Sequence, residues 1–206
     1  MSFWSNTILP NLIGGACSTS PIMKQRAKIV PNAEGVVVEI GMGAAPNLAL
    51  YDPGRVKTVI GIEPSAGLRR KGGRAIAAQA LDVTLLDAVA EDMPLDSRSA
   101  DTIVLTYTLC SLPDVAGAFD EMRRVLKPGG RLLFCEHGAA PDAGVLKWQT
   151  RIEPVWKRCA GGCHLARPID RLIEGGGFRI DHLDAAYMPK TPKIVGFDYI
   201  GSARLA

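Results

Sequence analysis

Val36-Val37-Val38-Glu39-Ile40-Gly41-Met42-Gly43-Ala44-Ala45-Pro46-Asn47 reads as a buried strand running into a glycine turn and a helix start. An apolar run of this kind, without polar alternation, belongs to a strand covered on both faces. Gly41 and Gly43 remove side chains where the backbone must come close to a ligand. A second apolar run, Val59-Ile60-Gly61-Ile62-Glu63, closes on an acid whose carboxylate can grip a ribose. Strand, turn, second strand and terminal acid together describe a nucleoside pocket.

The choice of nucleoside turns on position 46. A dinucleotide fingerprint asks for a third glycine there, and this chain has Pro46. Proline suits the first turn of a helix but removes one N–H that could face an anion, which weakens a pyrophosphate reading. S-adenosylmethionine carries no phosphate. Its amino acid end, sulfonium and ribose call for close backbone and nearby acids, and Glu39 and Glu63 supply the two charges. The turn alone leaves methyl donor and dinucleotide both open.

Further apolar runs at Val83 to Leu86, Thr102 to Leu105 and Arg131 to Cys135 add parallel strands to Val36 to Ile40 and Val56 to Ile62. Helices are expected over Pro46 to Tyr51, Gly67 to Ala80 and Val115 to Leu126, the last ended by Lys127-Pro128-Gly129-Gly130. This alternation is α/β. A helical insertion follows, with an irregular Cys-Gly-rich patch from Cys159 to His164. Then come a helix from Pro168 to Glu174 and strands Phe178 to Tyr187 and Ile194 to Ala203. Ligands of an open parallel sheet gather at the strands' carboxyl ends, so Ala90-Glu91 and Thr106-Tyr107-Thr108-Leu109 converge on the same pocket.

The 206 residues, 47% hydrophobic and 22% charged, suit one domain with a substantial core. A net charge of +3 with no long basic run gives no footprint for nucleic acid. No apolar run approaches the roughly 20 residues that span a bilayer. Five scattered cysteines read as reduced thiols of a cytoplasmic protein. Near the N-terminus, Trp4, Ile8, Leu9, Leu12 and Ile13 share one helical face, which reads as packing on the domain, as a lid or as a weak membrane-surface contact.

Glu39-Ile40-Gly41-Met42-Gly43, Gly61-Ile62-Glu63-Pro64, Ala90-Glu91-Asp92-Met93-Pro94 and Arg123-Arg124-Val125-Leu126-Lys127-Pro128-Gly129-Gly130 together resemble class I S-adenosylmethionine-dependent methyltransferases of the type 11 group. The resemblance covers about residues 36 to 137. It implies a Rossmann-like class I methyltransferase fold, a seven-stranded mostly parallel sheet with helices on both faces, in one domain over 1–206. Residues 1–33 would form an N-terminal helical cap and 138–168 a helical insertion over the acceptor site. By the same resemblance the methyl donor would be held by Glu39, Gly41, Met42, Gly43, Asn47, Glu63, Pro64, Ala90, Glu91, Thr106 and Leu109. Glu63 would take the ribose hydroxyls, Ala90 and Glu91 the adenine, and Thr106 to Leu109 would flank the methyl.

A narrower set, Asn47-Leu48-Ala49-Leu50-Tyr51-Asp52-Pro53-Gly54, Leu109-Cys110-Ser111-Leu112, Glu136-His137-Gly138-Ala139-Ala140 and Gly162-Cys163-His164-Leu165-Ala166-Arg167, is similar to animal alkyl-thiol S-methyltransferases and their bacterial relatives. A small-molecule acceptor, a thiol or sulfide, is therefore expected, with phospholipid and quinone methyltransferases as competitors. An NAD-dependent oxidoreductase, a nucleic acid methyltransferase and a cofactor-binding regulator are the readings from other classes. Methyl transfer to a thiol, whose pKa is near 8.5, needs little help from a base and no metal. His137, past the fifth strand, and His164 are the expected catalytic groups. Tyr107, Trp148, Trp156 and Cys163 would line the acceptor pocket. Cys159, Cys163 and His164 lack the spacing and the fourth ligand of a zinc site, so no metal is expected.

Overall fold

The computed structural model describes residues 19–206. The apolar N-terminal face from Trp4 to Ile13 lies outside the described residues.

Seven strands form one sheet: β1 (Gly35–Ile40), β2 (Val56–Ile62), β3 (Val83–Leu86), β4 (Ala100–Thr106), β5 (Leu126–His137), β6 (Phe178–Tyr187) and β7 (Phe197–Leu205). Their order is β3-β2-β1-β4-β5-β7-β6. The first five are parallel, and β7 lies antiparallel between β5 and β6. This is the expected Rossmann-like class I methyltransferase sheet. The chain winds from β1 outward through β2 and β3, then crosses back to β4. Ile40 therefore pairs with Ile62 on one side and Leu105 on the other, which places the ends of three strands at the topological switch point.

Alternate side chains build two apolar layers. Val38, Ile40, Ile103, Leu105, Leu132 and Phe134 pack on one face against α3 (Val115–Val125) and α5 (Ile169–Gly175), through Phe119, Met122, Ile169 and Ile173. Val37, Val59, Val104, Leu133 and Cys135 pack on the other, against Ile29, Val30, Leu48 and Tyr51. Each such Val, Ile or Leu taken fully out of water contributes roughly 1.5–3 kcal/mol before conformational entropy is set against it. Burial on both faces is why these strands read as unbroken apolar runs.

Helices α1 (Ser20–Arg26), α2 (Ala66–Ile76) and α4 (Ala143–Cys159) complete the layers. Ser65 caps α2 by accepting from the Leu68 N–H, and Asp114 caps α3 by accepting from the Gly117 N–H. Among the described residues no helix is long and apolar enough to cross a membrane.

Several boundaries differ from expectation, among them that of α2, which ends at Ile76 instead of Ala80. The helix after the glycine turn is a 3-10 turn, Pro46–Leu50, since the connection to β2 is short and Asn47 turns its side chain inward instead of outward. Strand β5 begins directly at Leu126, and Lys127 to Gly130 bulge out of the β4 ladder, which jumps from Leu126 to Arg131. The last strand starts at Phe197 instead of Ile194, because the Met188 N–H bonds the Gly196 carbonyl and closes residues 188–196 into a turn.

Candidate active site

Gly41 and Gly43 have left-handed backbone, φ +67° and +62°. A Cβ on Gly41 would lie 2.4 Å from Thr108 Oγ1, so only glycine lets the turn meet the end of β4. A Cβ on Gly43 would meet only the Gly41 carbonyl oxygen, at 3.8 Å, leaving the front of the turn open. Glu63, the residue after β2, closes the arrangement. Its Oε2 accepts the Gly43 N–H at 3.0 Å and its Oε1 the Ser65 N–H at 2.8 Å. Burial raises its pKa, and those two N–H bonds and Arg69 oppose the rise. Arg69 also binds the Glu63 carbonyl and both oxygens of Asp87, fixing the corner between β2 and α2.

In front of this turn is a cavity of about 390 Å³, within the range of small-molecule sites. Gly41, Met42, Gly43, Glu63, Pro64, Ala90, Glu91, Thr106 and Tyr107 all line it. Thr108, Ser111 and Leu112, from the motif segments around Leu109, and Gly161, from the Cys-Gly-rich patch, do so too, as do Arg26 and Ser65, which no sequence motif marks.

Glu39, Asn47 and Leu109 do not line the cavity. Leu109 is part of the apolar core. Glu39 sits behind the wall, bonded to Asn47 Nδ2 at 3.0 Å and to the Tyr51 hydroxyl at 2.6 Å. Burial pushes its pKa up to about 7, against the Tyr51 bond, the Arg26 charge and the Asn47 bond. Arg26, reaching in from α1, donates from Nη1 to Asn47 Oδ1 at 2.9 Å and to Thr106 Oγ1 at 2.5 Å. Glu39 and Asn47 thus hold the guanidinium that forms the wall, and act through it. An isolated arginine upstream of β1 carries no spacing signal, which is why the sequence did not reveal it.

Tyr107, which lines the cavity, has φ +52°, an uncommon backbone for a bulky residue. Its hydroxyl donates to Asp198 Oδ2 at 3.0 Å, and the Arg26 guanidinium carbon lies 5.1 Å from the centre of its ring. Burial raises the phenol well above its ordinary range and pushes Asp198 up to about 6. The segment after Tyr107 is clamped from two sides. Glu136 Oε1 accepts the Thr108 and Leu109 N–H groups at 2.7 and 3.0 Å, and Arg167 donates to the Leu109 and Leu112 carbonyls.

His137, His164, Cys163, Trp156 and Trp148 are not among the residues that line the cavity. His137 Nε2 is 3.1 Å from Cys163 Sγ, and Trp156 Nε1–H donates to the same sulfur at 3.3 Å. A bond from Cys110 holds the Cys163 thiol down to about 4 against the cost of burial, with His137 and Trp156 adding to it. His164 turns instead to Glu153, with Nδ1 3.0 Å from Oε1. Trp148 is 57% exposed on the outer face of α4 under Arg151, because the helix presents Gln149, not Trp148, to the core.

A family model described as a methyltransferase domain matches residues 38–134. Thiol S-methyltransferase TMT1B of Rattus norvegicus is 32% identical over 170 residues, covering 79% of this chain and 70% of the rat protein. The chain belongs to the S-adenosylmethionine-dependent methyltransferases. Human thiol S-methyltransferase TMT1B is 31% identical over 78% of this methyltransferase and 68% of its own length. An S-adenosylmethionine-dependent methyltransferase from Mesorhizobium loti shares the fold, with a TM-score of 0.67 at 18% identity over 90% of this chain and 98% of that one. Membership of this family sets aside the dinucleotide reading that the glycine turn left open.

Proposed function

We propose that this methyltransferase transfers a methyl group to the sulfur of a small thiol or sulfide, with S-adenosylmethionine held in the cavity between Gly41 and Tyr107. The open front of Gly43 and the two N–H bonds that fix Glu63 suit the donor's nucleoside. The carboxylate keeps further lone pairs for the ribose hydroxyls, while Ala90 and Glu91 border the adenine and the glycine turn the methionine portion. When bound, the donor supplies a sulfonium-activated methyl group.

The observation that carries the acceptor assignment is the character of the cavity lining. Among the described residues its only lining cation is Arg26, and no imidazole lines it. A thiol of ordinary pKa is roughly a tenth ionised at pH 7.5 and needs no strong base. Arg26 favours that thiolate electrostatically. Tyr107, Thr108 and Leu112 position the acceptor and exclude water, which supports an in-line displacement. The loop after α4 brings Gly161 to the cavity lining, which supports 138–168 as an insertion over the acceptor. The thiol names of the relatives point the same way.

Incubation with radiolabelled S-adenosylmethionine and separate thiol, phenol, amine, quinol and lipid-amine acceptors tests the reading. The expected result is label transfer to thiols. Transfer to quinols or lipid amines without transfer to thiols would overturn it.

A further inference from the structure

We propose that Cys110, His137 and Cys163 bind one thiophilic metal ion of the zinc class beside the cavity. Their ligand atoms, two sulfurs and one ring nitrogen, all lie within 4.8 Å of one another. His137 Nε2 and Cys163 Sγ are 3.1 Å apart. Zinc–sulfur and zinc–nitrogen bonds of about 2.3 and 2.0 Å in tetrahedral geometry put such atoms roughly 3.5–3.8 Å apart. The trio therefore reaches coordination distances through small side-chain movements.

The topology assembles the site from three segments. Cys110 follows β4, and His137 ends the neighbouring parallel strand β5, so the strand pairing brings both to one edge of the sheet. Cys163 arrives from the loop after α4. Glu136 fixes the segment leading to Cys110 by accepting the Thr108 and Leu109 N–H groups. Trp156 supports the Cys163 sulfur with its indole N–H at 3.3 Å, the kind of outer contact that orients a metal ligand. Spacing alone does not mark these residues, because none of them forms a Cys-x-x-Cys pair.

Donor chemistry selects the ion. Two thiolates and an imidazole favour zinc over magnesium or calcium, which prefer oxygen. Two thiolates, a neutral imidazole and a divalent ion also sum to zero charge, which a largely buried position accommodates. Three protein ligands leave one coordination position for another group. Ser111, Leu112 and Gly161 line the cavity a residue or two from these ligands. The ion would therefore clip together the two loops that border the acceptor. The proposal stands whatever the acceptor is.

The test uses the reduced full chain, equilibrated with zinc and desalted, with metal measured by mass spectrometry. One zinc per chain is expected, with at least tenfold weaker binding in Cys163→Ser and no change in Cys159→Ser. The cobalt adduct of the unaltered chain should show thiolate-to-cobalt charge-transfer absorption. Zinc should also slow alkylation of Cys163 but not of exposed Cys159. Should Cys163→Ser fail to fold, the cobalt spectrum and the alkylation rates decide. Absence of retained zinc, a cobalt spectrum without thiolate bands, or unchanged Cys163 alkylation would overturn the site.

Discussion

Replacing Glu63 should separate donor binding from folding. Each carboxylate oxygen already accepts one backbone N–H, from Gly43 or Ser65, and has a second lone pair for a ribose hydroxyl. A hydrogen bond to a charged group contributes about 1.5–3 kcal/mol, so two give roughly 3–6 kcal/mol. Water entering the vacated space of Glu63→Ala satisfies the freed N–H groups and recovers part of this. Taking about 3 kcal/mol as the net loss, affinity for S-adenosylhomocysteine falls roughly 150-fold. Glu63→Gln keeps the shape but turns an amide NH₂ toward one of the two backbone N–H donors. It should lose about one bond, roughly 10- to 150-fold in affinity. Isothermal titration calorimetry supplies both constants, and circular dichroism with thermal melts checks the fold. If both variants stay folded and bind within threefold of the unaltered chain, the ribose assignment of Glu63 is refuted.

Gly41→Ala places a Cβ 2.4 Å from Thr108 Oγ1 on left-handed backbone. Strain and clash together should cost about 3 kcal/mol and lower Tm by roughly 6–12 °C in a scanning calorimeter. Glu39 has a folded pKa of about 7 against a usual value of 4.5. Its protonated form is thus favoured in the folded state: the associated stability is complete below pH 4.5 and is lost as pH rises to about 7. Denaturant midpoints should show Glu39→Gln flattening the pH dependence in that window by an amount on the order of 3 kcal/mol. Because Trp148 is exposed on α4, Trp148→Ser should leave KM for a thiol within twofold, and a tenfold rise would return the residue to the acceptor pocket.

The parts of the fold most readable from sequence were those buried on both faces. Val36 to Ile40 and Thr102 to Leu105 have no solvent side, so their composition alone marks central parallel strands. Gly41, Gly43 and Glu63 were readable because backbone approach and a strand-end acid have fixed spacing. Arg26 was not, since its partners Asn47 and Thr106 are distant in sequence and meet it only through packing of α1. Glu39 was recognised as a functional carboxylate, yet strand alternation turns it to the Tyr51 face and away from the cavity. The association of Cys110, His137 and Cys163 follows from strand order, which no local motif encodes. The direction of a helical side chain was equally hidden: Trp148 and Trp156 share α4, but only Trp156 turns toward Cys163.

One experiment bears most directly on the methyl transfer itself. A single small acceptor carrying a thiol, a hydroxyl and a primary amine is incubated with S-adenosylmethionine bearing a deuterated methyl group, and the products are located by tandem mass spectrometry. One deuteromethyl on sulfur is expected for each S-adenosylhomocysteine formed, with the rate sharply reduced in Glu63→Ala. Deuteromethyl on oxygen or nitrogen while the thiol stays free would contradict the account.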